Sequence, residues 1–290
     1  PFVWHARPPR LMCHACGRTT APPAVCAACG GPKVGVGGGG GTQRIEDEAE
    51  EIAAPLRADI FRLDSDTVRR RGHAREVFRR LASGRPAILV GTQMIAKGHH
   101  VPEATVVGVV DADAAFGVPD FRASERAFAL LIQAAGRAGR EAKSGLVIIQ
   151  TRDPGRSAIT ALKSGDAEGF YARELEIRRS LSYPPFTRLA RITTRGPLDE
   201  VASQAAAFIA KSMRDRIASE PPGESGVDVL GPAPCVIPKI ARNFRHHLVL
   251  KIRVAASARG LIRSAMESFR ATPEHRKVRV EIDMDPVSLI

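Results

Sequence analysis

The sequence predicts an α/β protein in three parts. A cysteine-rich segment with the spacing of a zinc ribbon comes first, a lobe built on a parallel sheet follows, and an α+β domain with split βαβ order comes last. Apolar, β-branched runs alternate with amphipathic stretches as far as about residue 152, which is typical of a parallel sheet covered by helices. We expect a zinc-binding module at 1–36, the lobe at 37–155, a helical linker at 156–182 and the α+β domain at 183–290.

Composition limits the classes of protein that are compatible with the chain. Its 290 residues, 44% of them hydrophobic, are enough for two cores. Lysine and arginine number 43 against 31 acidic residues, a surplus that suits a nucleic acid, a ribosome or an acidic membrane surface. The sequence has no apolar run of about 18 residues and no leader pattern, so we expect a cytoplasmic protein. Because it opens on Pro1, we also expect a fragment of a longer protein.

The amino-terminal cysteines have the spacing of metal ligands. Cys13 and Cys16 form one C-x-x-C pair, and Cys26 and Cys29 form a second pair nine residues later. Two such pairs deliver four thiolates, which is the ligand set of a zinc ribbon. Buried apolar thiols are a weaker alternative because glycine and proline flank the pairs, and redox chemistry is disfavoured because no thioredoxin-like strand and helix frame them. The glycine-rich stretch at 35–41 predicts a loop or hinge.

The lobe has an alternating pattern of helices and buried strands. Amphipathic periodicity predicts helices, and short apolar runs bounded by glycine, proline or polar residues predict strands. The predicted helices cover residues 44–57, 72–83 and 122–138, and the predicted strands cover 87–90, 104–110 and 146–150.

The last third of the chain is predicted to be a separate domain. Pro184 and Pro185 end the helical stretch at 156–180 and stiffen the join. The strands and helices that follow have the order βαββαβ, which is the split βαβ plan. Strands are predicted at 187–194, 227–230, 247–254 and 278–284, and helices at 198–218 and 257–270.

The segment from Gln133 to Arg140 reads QAAGRAGR and ends the helix at 122–138. On a helix, Gln133, Arg137 and Arg140 share one face. Two guanidinium groups there, beside Gly136 and Gly139, could bind a phosphate that gains charge during transfer, as arginine fingers do. The alternative is a helix end at which arginine and glycine satisfy the last carbonyl groups.

The loop at 91–100 follows a buried strand and reads GTQMIAKGHH. Ligands collect at the carboxyl ends of strands in open α/β sheets. Backbone amides and side chains of this loop could therefore contact the phosphates of a nucleotide or of DNA; an ordinary polar connection is the alternative. The candidate residues are Gly91, Thr92, Gln93, Lys97 and Gly98. A metal site at His99 and His100 is disfavoured because adjacent side chains point in different directions.

Together these two segments resemble motifs V and VI of superfamily-2 helicases, in the form found in the PriA family of replication-restart helicases. The stretches at 60–67, 111–126, 183–186, 230–232 and 283–286 also resemble that family, so the likeness covers nearly the whole chain. It implies a RecA-like second helicase lobe with an inserted zinc module. It also implies an ATP-driven enzyme that unwinds DNA 3′ to 5′ at stalled forks, with single-strand binding protein and primosome loading proteins as partners.

The resemblance also assigns roles. Arg137 and Arg140 would complete an ATP site, and Thr92, Gln93 and Lys97 would couple it to DNA. No G-x-x-x-x-G-K-[ST] sequence occurs, so Mg²⁺ and ATP would be bound mainly by another lobe, and we expect this chain alone not to hydrolyse ATP. The family's zinc module has four cysteine pairs and two ions. Cys13 and Cys16 would then serve one ion and Cys26 and Cys29 the other; a single four-cysteine site is the alternative.

The carboxyl-terminal domain contains a basic segment at 239–251. Lys239, Arg242 and Arg245, near Phe244, could hold DNA phosphates and stack a base, although exposed basic loops are common. Cys235 is predicted to be a packed small side chain, because no acid–base partner lies near it in the sequence. The competing functions are a non-catalytic protein that binds forked DNA and, more remotely, a ribosome-associated zinc protein.

Overall fold

The computed structural model describes residues 3–6, 9–13, 18–21, 23–25, 30–31, 42–63, 72–92, 104–138, 145–221 and 225–289. The chain divides into two units. The parallel-sheet unit comprises Gly37–Gly117 and Arg122–Phe170, and the antiparallel unit comprises Pro1–Val36, Val118–Phe121 and Tyr171–Ile290. None of the helices in the described part of the chain is long and apolar enough to cross a membrane.

The amino-terminal segment contains a small antiparallel sheet. Strand β1 (Val3–Ala6) pairs with β2 (Pro9–Met12), and β2 pairs with β3 (Thr19–Thr20). Between β2 and β3 the chain reverses direction, and the backbone N–H of Cys13 donates to the carbonyl of Arg18 at 2.9 Å. Cys13 is the residue that directly follows β2.

The parallel-sheet unit confirms the predicted α/β class. Strand β4 (Asp59–Leu63) pairs in parallel with β5 (Ala87–Gly91), and β6 (Val106–Val109) pairs in parallel with β7 (Leu146–Ile149). Strand β4 was not predicted as a strand; it begins with Asp59, and Arg62 interrupts its apolar residues, unlike the apolar runs of the other strands. The helices are α1 (Thr42–Leu56), α2 (His73–Leu81), α3 (Asp113–Phe116), α4 (Ala123–Ala135) and α5 (Ser157–Ser164).

A core of helices lies on β6 and β7. Phe128 of α4 is 1% exposed, and its ring centroid lies 4.1 Å from that of Phe170. Helix α5 contributes Ala158 and Ala161 to the same core. The stretch at 156–182 is thus two helices, since Gly165 (φ +75°) ends α5 before α6 (Ala167–Ser180) begins. Glycine adopts this left-handed conformation without the clash that a side chain causes.

From Arg188 onward, the described residues of the antiparallel unit form four strands, two α-helices and a short 3₁₀ helix. Strand β8 (Arg188–Gly196), helix α7 (Asp199–Ala218), strands β9 (Val227–Ile240) and β10 (Asn243–Ile252), helix α8 (Ala255–Arg270) and strand β11 (Arg279–Met284) follow one another. A 3₁₀ helix at Pro273–Lys277 precedes β11. The four strands form an antiparallel sheet in the order β11, β8, β10, β9.

Alternation along the strands divides the sheet into two buried faces. Ala190, Ile192, Leu248 and Leu250 pack on one face against the apolar sides of α7 and α8. The neighbouring residues Leu189 and Val249 point the other way and form a second cluster with Leu289. The sheet is thus covered on both faces.

The strand predicted at 227–230 is present but is longer than predicted. Strand β9 continues to Ile240 and forms a long hairpin with β10. Pro232, Pro234 and Pro238 lie in this strand, and proline cannot donate a backbone hydrogen bond. However, β9 lies at the edge of the sheet formed by the described strands, and prolines are tolerated in edge strands.

Candidate nucleotide and nucleic-acid site

Helix α4 carries the predicted arginine-finger segment at its carboxyl end. Ala127, Phe128 and Leu131 of this helix are buried in the core of the unit, and this burial fixes the rotation of the helix about its axis. Gln133, two residues beyond Leu131, is on the opposite side and is exposed. The apolar periodicity of α4 thus turns the predicted functional face away from the core.

The last turn of α4 continues helically through the glycine. Gly136 has φ −68° and ψ 0°, and its N–H donates to the carbonyl of Ile132 at 2.9 Å. The N–H of Arg137 donates to the carbonyl of Ala134 at 3.0 Å. Gln133 and Arg137 therefore lie in consecutive turns of one helical segment, and Arg137 is half-buried. Any residue can adopt the conformation of Gly136, so this glycine contributes its missing side chain and not a special turn.

The predicted phosphate loop begins at the carboxyl end of β5. Gly91 is the last residue of that strand and is half-buried, and Thr92 follows it and is exposed. Both lie at the end of a parallel strand, where α/β proteins bind ligands. Gln93, Lys97, Gly98, His99, His100, Gly139 and Arg140 lie outside the described residues.

A second polar cluster at the carboxyl ends of β6 and β7 was not assigned from the sequence. The carboxylate of Asp113 accepts the backbone N–H of Arg152 at 2.8 Å and the hydroxyl of Thr151 at 3.2 Å. The guanidinium of Arg152 donates to the carboxylate of Asp111 at 3.2 Å. Asp111 has φ +51°, which a residue with a side chain rarely adopts. The available signal was the D-x-D sequence directly after a predicted strand.

The pKa of Asp113 lies below its ordinary value. Burial raises this pKa, but the hydrogen bonds from the Arg152 N–H and the Thr151 hydroxyl lower it, as do the charges of Arg152 and Arg156. The lowering contributions together are larger than the effect of burial. Asp113 therefore holds the start of α3 to the end of β7 as a carboxylate at neutral pH.

The basic residues of the antiparallel unit lie on the β9–β10 hairpin in two different environments. At the tip, Arg242 is exposed, and the ammonium of Lys239 lies 4.5 Å from the ring centroid of Phe244. Arg245 is only 7% exposed and donates to the carbonyl of Ile237 at 3.4 Å. Lys239 and Arg242 are thus exposed at the tip, whereas Arg245 is buried and hydrogen-bonded to the backbone of the hairpin.

Cys235 is a buried thiol, as the sequence predicted. It is 2% exposed. Burial raises its pKa, and the nearby charges of Arg245, Arg191 and Arg195 only partly offset this effect. A thiol with a raised pKa is a poor nucleophile at neutral pH.

Of the four predicted metal ligands, Cys13 lies among the described residues and is half-buried at the end of β2. Cys16, Cys26 and Cys29 lie outside them. Within the described part of the chain, no group of three or more potential ligands is close enough to hold a metal ion.

Comparison with protein families identifies both units. Residues 42–142 match the helicase conserved C-terminal domain, and residues 179–287 match the primosomal protein N C-terminal domain. The first match contains β5 and α4, and the second contains the antiparallel sheet with its two helices. The chain thus combines a helicase C-terminal domain with the C-terminal domain of a primosomal protein.

Several relatives match over the full length of the chain. It is 40% identical to the replication restart protein PriA of Treponema pallidum, 36% identical to that of Bacillus subtilis and 32% identical to that of Haemophilus influenzae, in each case over 100% of this chain. It spans 42%, 35% and 38% of the length of these relatives, respectively. The chain belongs to the PriA family of replication restart proteins.

Proposed function

We propose that this chain provides the second motor lobe and the C-terminal domain of an ATP-dependent 3′ to 5′ DNA helicase that restarts replication at stalled forks in the cytoplasm. The observation that carries the proposal is the end of α4. Its buried face fixes the helix in the core, and Gln133 and Arg137 follow one another on the part of the helix that leaves the core. This placement lies within the region that matches the helicase domain, and a module that only binds DNA has no need of it.

In this proposal the residues at the end of α4 complete the nucleotide site. Arg137 and Arg140 donate to the γ-phosphate as charge develops on it during transfer, and Gln133 orients the attacking water or the arginine beside it. Gly91, Thr92, Gln93, Lys97 and Gly98 link that site to the DNA strand, with Gly136 and Gly139 leaving room beside the guanidinium groups. Mg²⁺ and ATP are bound mainly by a part of the parent protein outside these 290 residues.

Zinc binding forms part of the same proposal. Cys13 directly follows β2, and its N–H is bonded to the Arg18 carbonyl; the C-x-x-C spacing of Cys13 and Cys16 supports a zinc knuckle. Cys26 and Cys29 supply the other pair, at one shared ion or at two. Metal analysis of the purified chain should give about one zinc per molecule for a single four-cysteine site, and Cys13→Ser should lower that value.

DNA is the proposed ligand of the antiparallel unit, through the tip of the β9–β10 hairpin. Lys239 and Arg242 are exposed there and can contact phosphates. Arg245 is buried against Ile237, so we assign it a structural part in the hairpin. The antiparallel sheet order supports the split βαβ plan for this unit. Single-strand binding protein and primosome loading proteins remain proposed partners.

ATP hydrolysis by the full-length parent protein tests the helicase proposal. Arg137→Ala should lower DNA-stimulated turnover by about two orders of magnitude or more, because an arginine finger stabilises the transition state, while affinity for forked DNA stays the same. Arg85→Ala is the matched control, since Arg85 is an exposed arginine of the same unit in the connection between α2 and β5. No hydrolysis by the wild type, or equal hydrolysis by both variants, would favour a non-catalytic protein that binds forked DNA.

A further inference from the structure

Three arginines lie side by side on the antiparallel sheet. In the register of the strands, Arg245 of β10 is directly opposite Arg195 of β8, and Arg195 is directly opposite Arg279 of β11. Directly opposite residues project from the same face of a sheet, and neighbouring strands lie about 4.8 Å apart. The three residues therefore form one row across three strands, about 10 Å long, which we call the arginine row.

The arginine row lies on the face of the sheet opposite α7 and α8. Leu248 and Val280 pack in the core beneath those two helices. Arg245 is three residues before Leu248, and Arg279 is one residue before Val280, so alternation along the strands turns both arginines to the other face. Arg195 is the direct partner of both and shares that face.

Like charges directly opposite each other destabilise a sheet, whereas opposite charges stabilise it. The same face of this sheet contains the usual arrangement close to the row. Arg191 of β8 is directly opposite Asp283 of β11, and its guanidinium pairs with the carboxylate at 3.3 Å. The three adjacent guanidinium groups of the arginine row therefore differ from their immediate surroundings and require an explanation.

The arginine row shares one carboxylate. Glu281 of β11 pairs with Arg195 at 2.8 Å and with Arg279 at 3.3 Å. Arg245 donates to the carbonyl of Ile237 at 3.4 Å, and it takes part in no ion pair with the residues that the structure describes. Within the described ranges, three positive charges are thus set against one negative charge, and the row keeps an excess that suits an anion.

Exposure increases along the row from β10 to β11. Arg245 is 7% exposed, whereas the side chains of Arg195 and Arg279 are 34% and 78% exposed. Arg245 therefore keeps its structural part in the hairpin and adds its charge from a buried position, where solvent screens it less. Arg195 and Arg279 are the members of the row that can reach a ligand.

We propose that the arginine row binds the phosphate backbone of DNA through Arg195 and Arg279, and that Glu281 competes with the phosphates for these two guanidinium groups. A DNA strand carries one charge for about every 3.4 Å of helix axis, so a row of about 10 Å faces about three phosphates. Arg245 is three residues along the chain from the exposed Arg242 of the hairpin tip. The inference rests on the proposed binding of DNA by this unit and adds a second contact surface to the tip.

The test measures the affinity of the full-length parent protein for fluorescent forked DNA at several salt concentrations. Glu281→Gln removes the competing carboxylate. It should lower Kd by about threefold or more at low salt and increase the slope of log Kd against log salt concentration by about one. A gain of affinity cannot be ascribed to misfolding. Arg279→Gln should raise Kd by about threefold or more and decrease the slope by about one.

Asp228→Asn and Arg259→Gln are the matched controls. Asp228 is a partly exposed carboxylate paired with Arg253 at 2.7 Å. It is directly opposite Lys251, which lies six residues along β10 from Arg245. Arg259 is an exposed arginine of α8, the helix that packs on the other face of the sheet. Each control changes the net charge as its row variant does, but it should change Kd less than twofold.

Equal changes in the row variants and their controls would show that net charge alone attracts DNA, and they would overturn the proposal. Unchanged DNA affinity in Glu281→Gln and Arg279→Gln would overturn it as well. Altered binding of polyglutamate by the same two variants would then assign the row to an acidic protein segment. These results leave the hairpin tip and the helicase proposal intact. Absence of DNA binding by the wild-type protein would overturn the proposed DNA-binding role of the unit, and the arginine row with it.

Discussion

The tip of the β9–β10 hairpin holds two residues with side chains in the left-handed backbone region. Ala241 has φ +47° and Arg242 has φ +68°, and they connect the paired residues Ile240 and Asn243. Two-residue hairpin loops with positive φ at both positions strongly favour Asn-Gly. The sequence Ala-Arg at this place thus keeps a cation at the tip at the expense of backbone strain.

Replacing the pair by Asn-Gly should stabilise the chain. A left-handed conformation costs about 1–2 kcal/mol for each residue with a side chain. Glycine in place of Arg242 removes most of this strain energy, but its more flexible unfolded state costs about 0.5–1 kcal/mol. Asparagine in place of Ala241 removes part of the strain energy at that position. The net gain should be about 1 kcal/mol, which raises the melting temperature by about 2–4 °C for a unit of about 160 residues.

The same change should weaken DNA binding. Arg242→Gly removes one exposed cation. The slope of log Kd against log salt concentration should therefore decrease by about one, which corresponds to the loss of one phosphate contact. The assay is a titration of fluorescent forked DNA with this chain at several salt concentrations, together with thermal unfolding. Because the variant is more stable, weaker binding cannot be ascribed to misfolding.

Arg57→Gly is the matched control for charge and strain. Arg57 is an exposed arginine with φ +50° in the connection between α1 and β4. Its replacement removes the same charge and relieves the same kind of strain, but it should leave the salt slope unchanged. A similar fall of the slope in both variants would show that net charge alone attracts DNA. An unchanged slope in the hairpin variant would refute the contact at Arg242.

Further predictions concern stability. Phe128→Ala should destabilise the parallel-sheet unit by about 3–5 kcal/mol in urea unfolding, because a 1% exposed ring is lost from the core. Gly231→Ala should cost about 2–3 kcal/mol, since φ is +92° and the new Cβ would lie 2.9 Å from a carbonyl oxygen, whereas Gly84→Ala, at φ +74° in open space, should cost about 1 kcal/mol. Asp113→Asn should cost about 1–2 kcal/mol at pH 7, because the Arg152 N–H loses its carboxylate. The pKa of Asp113 in the folded state is lowered. Its contribution to stability is therefore present above the unfolded pKa of about 3.9 and is lost as the pH falls through the folded-state pKa. The difference in unfolding free energy between variant and wild type should decrease over that pH range.

The elements with strong local patterns were predictable from the sequence. Strands β5, β6 and β7 are short β-branched runs between turn residues, and α4 shows helical periodicity, so local sequence decides their structure. Strand β9 was mostly missed, because its prolines are acceptable only at a sheet edge and position in the sheet is not a local property. The burial of Arg245 was missed for a related reason: its place in the alternation of β10 depends on where that strand begins.

Local sequence patterns do not predict the burial of Asp120 in the segment Val118–Phe121. Its sequence Val-Pro-Asp-Phe is that of an ordinary loop with a polar residue, and nothing near it in the chain predicts that Asp120 is buried. The donors that make this burial favourable, Ser288 and Leu289, follow β11. Burial of a carboxyl group costs several kcal/mol without donors. Asp120 and its donors therefore stabilise the fold only together. The effect of a substitution in one segment should therefore depend on the other segment. Double-mutant cycles between Asp120 and Ser288 should give a coupling energy of about 0.5–3 kcal/mol. Substitutions at Asp120 and Asp228 should have additive effects on stability.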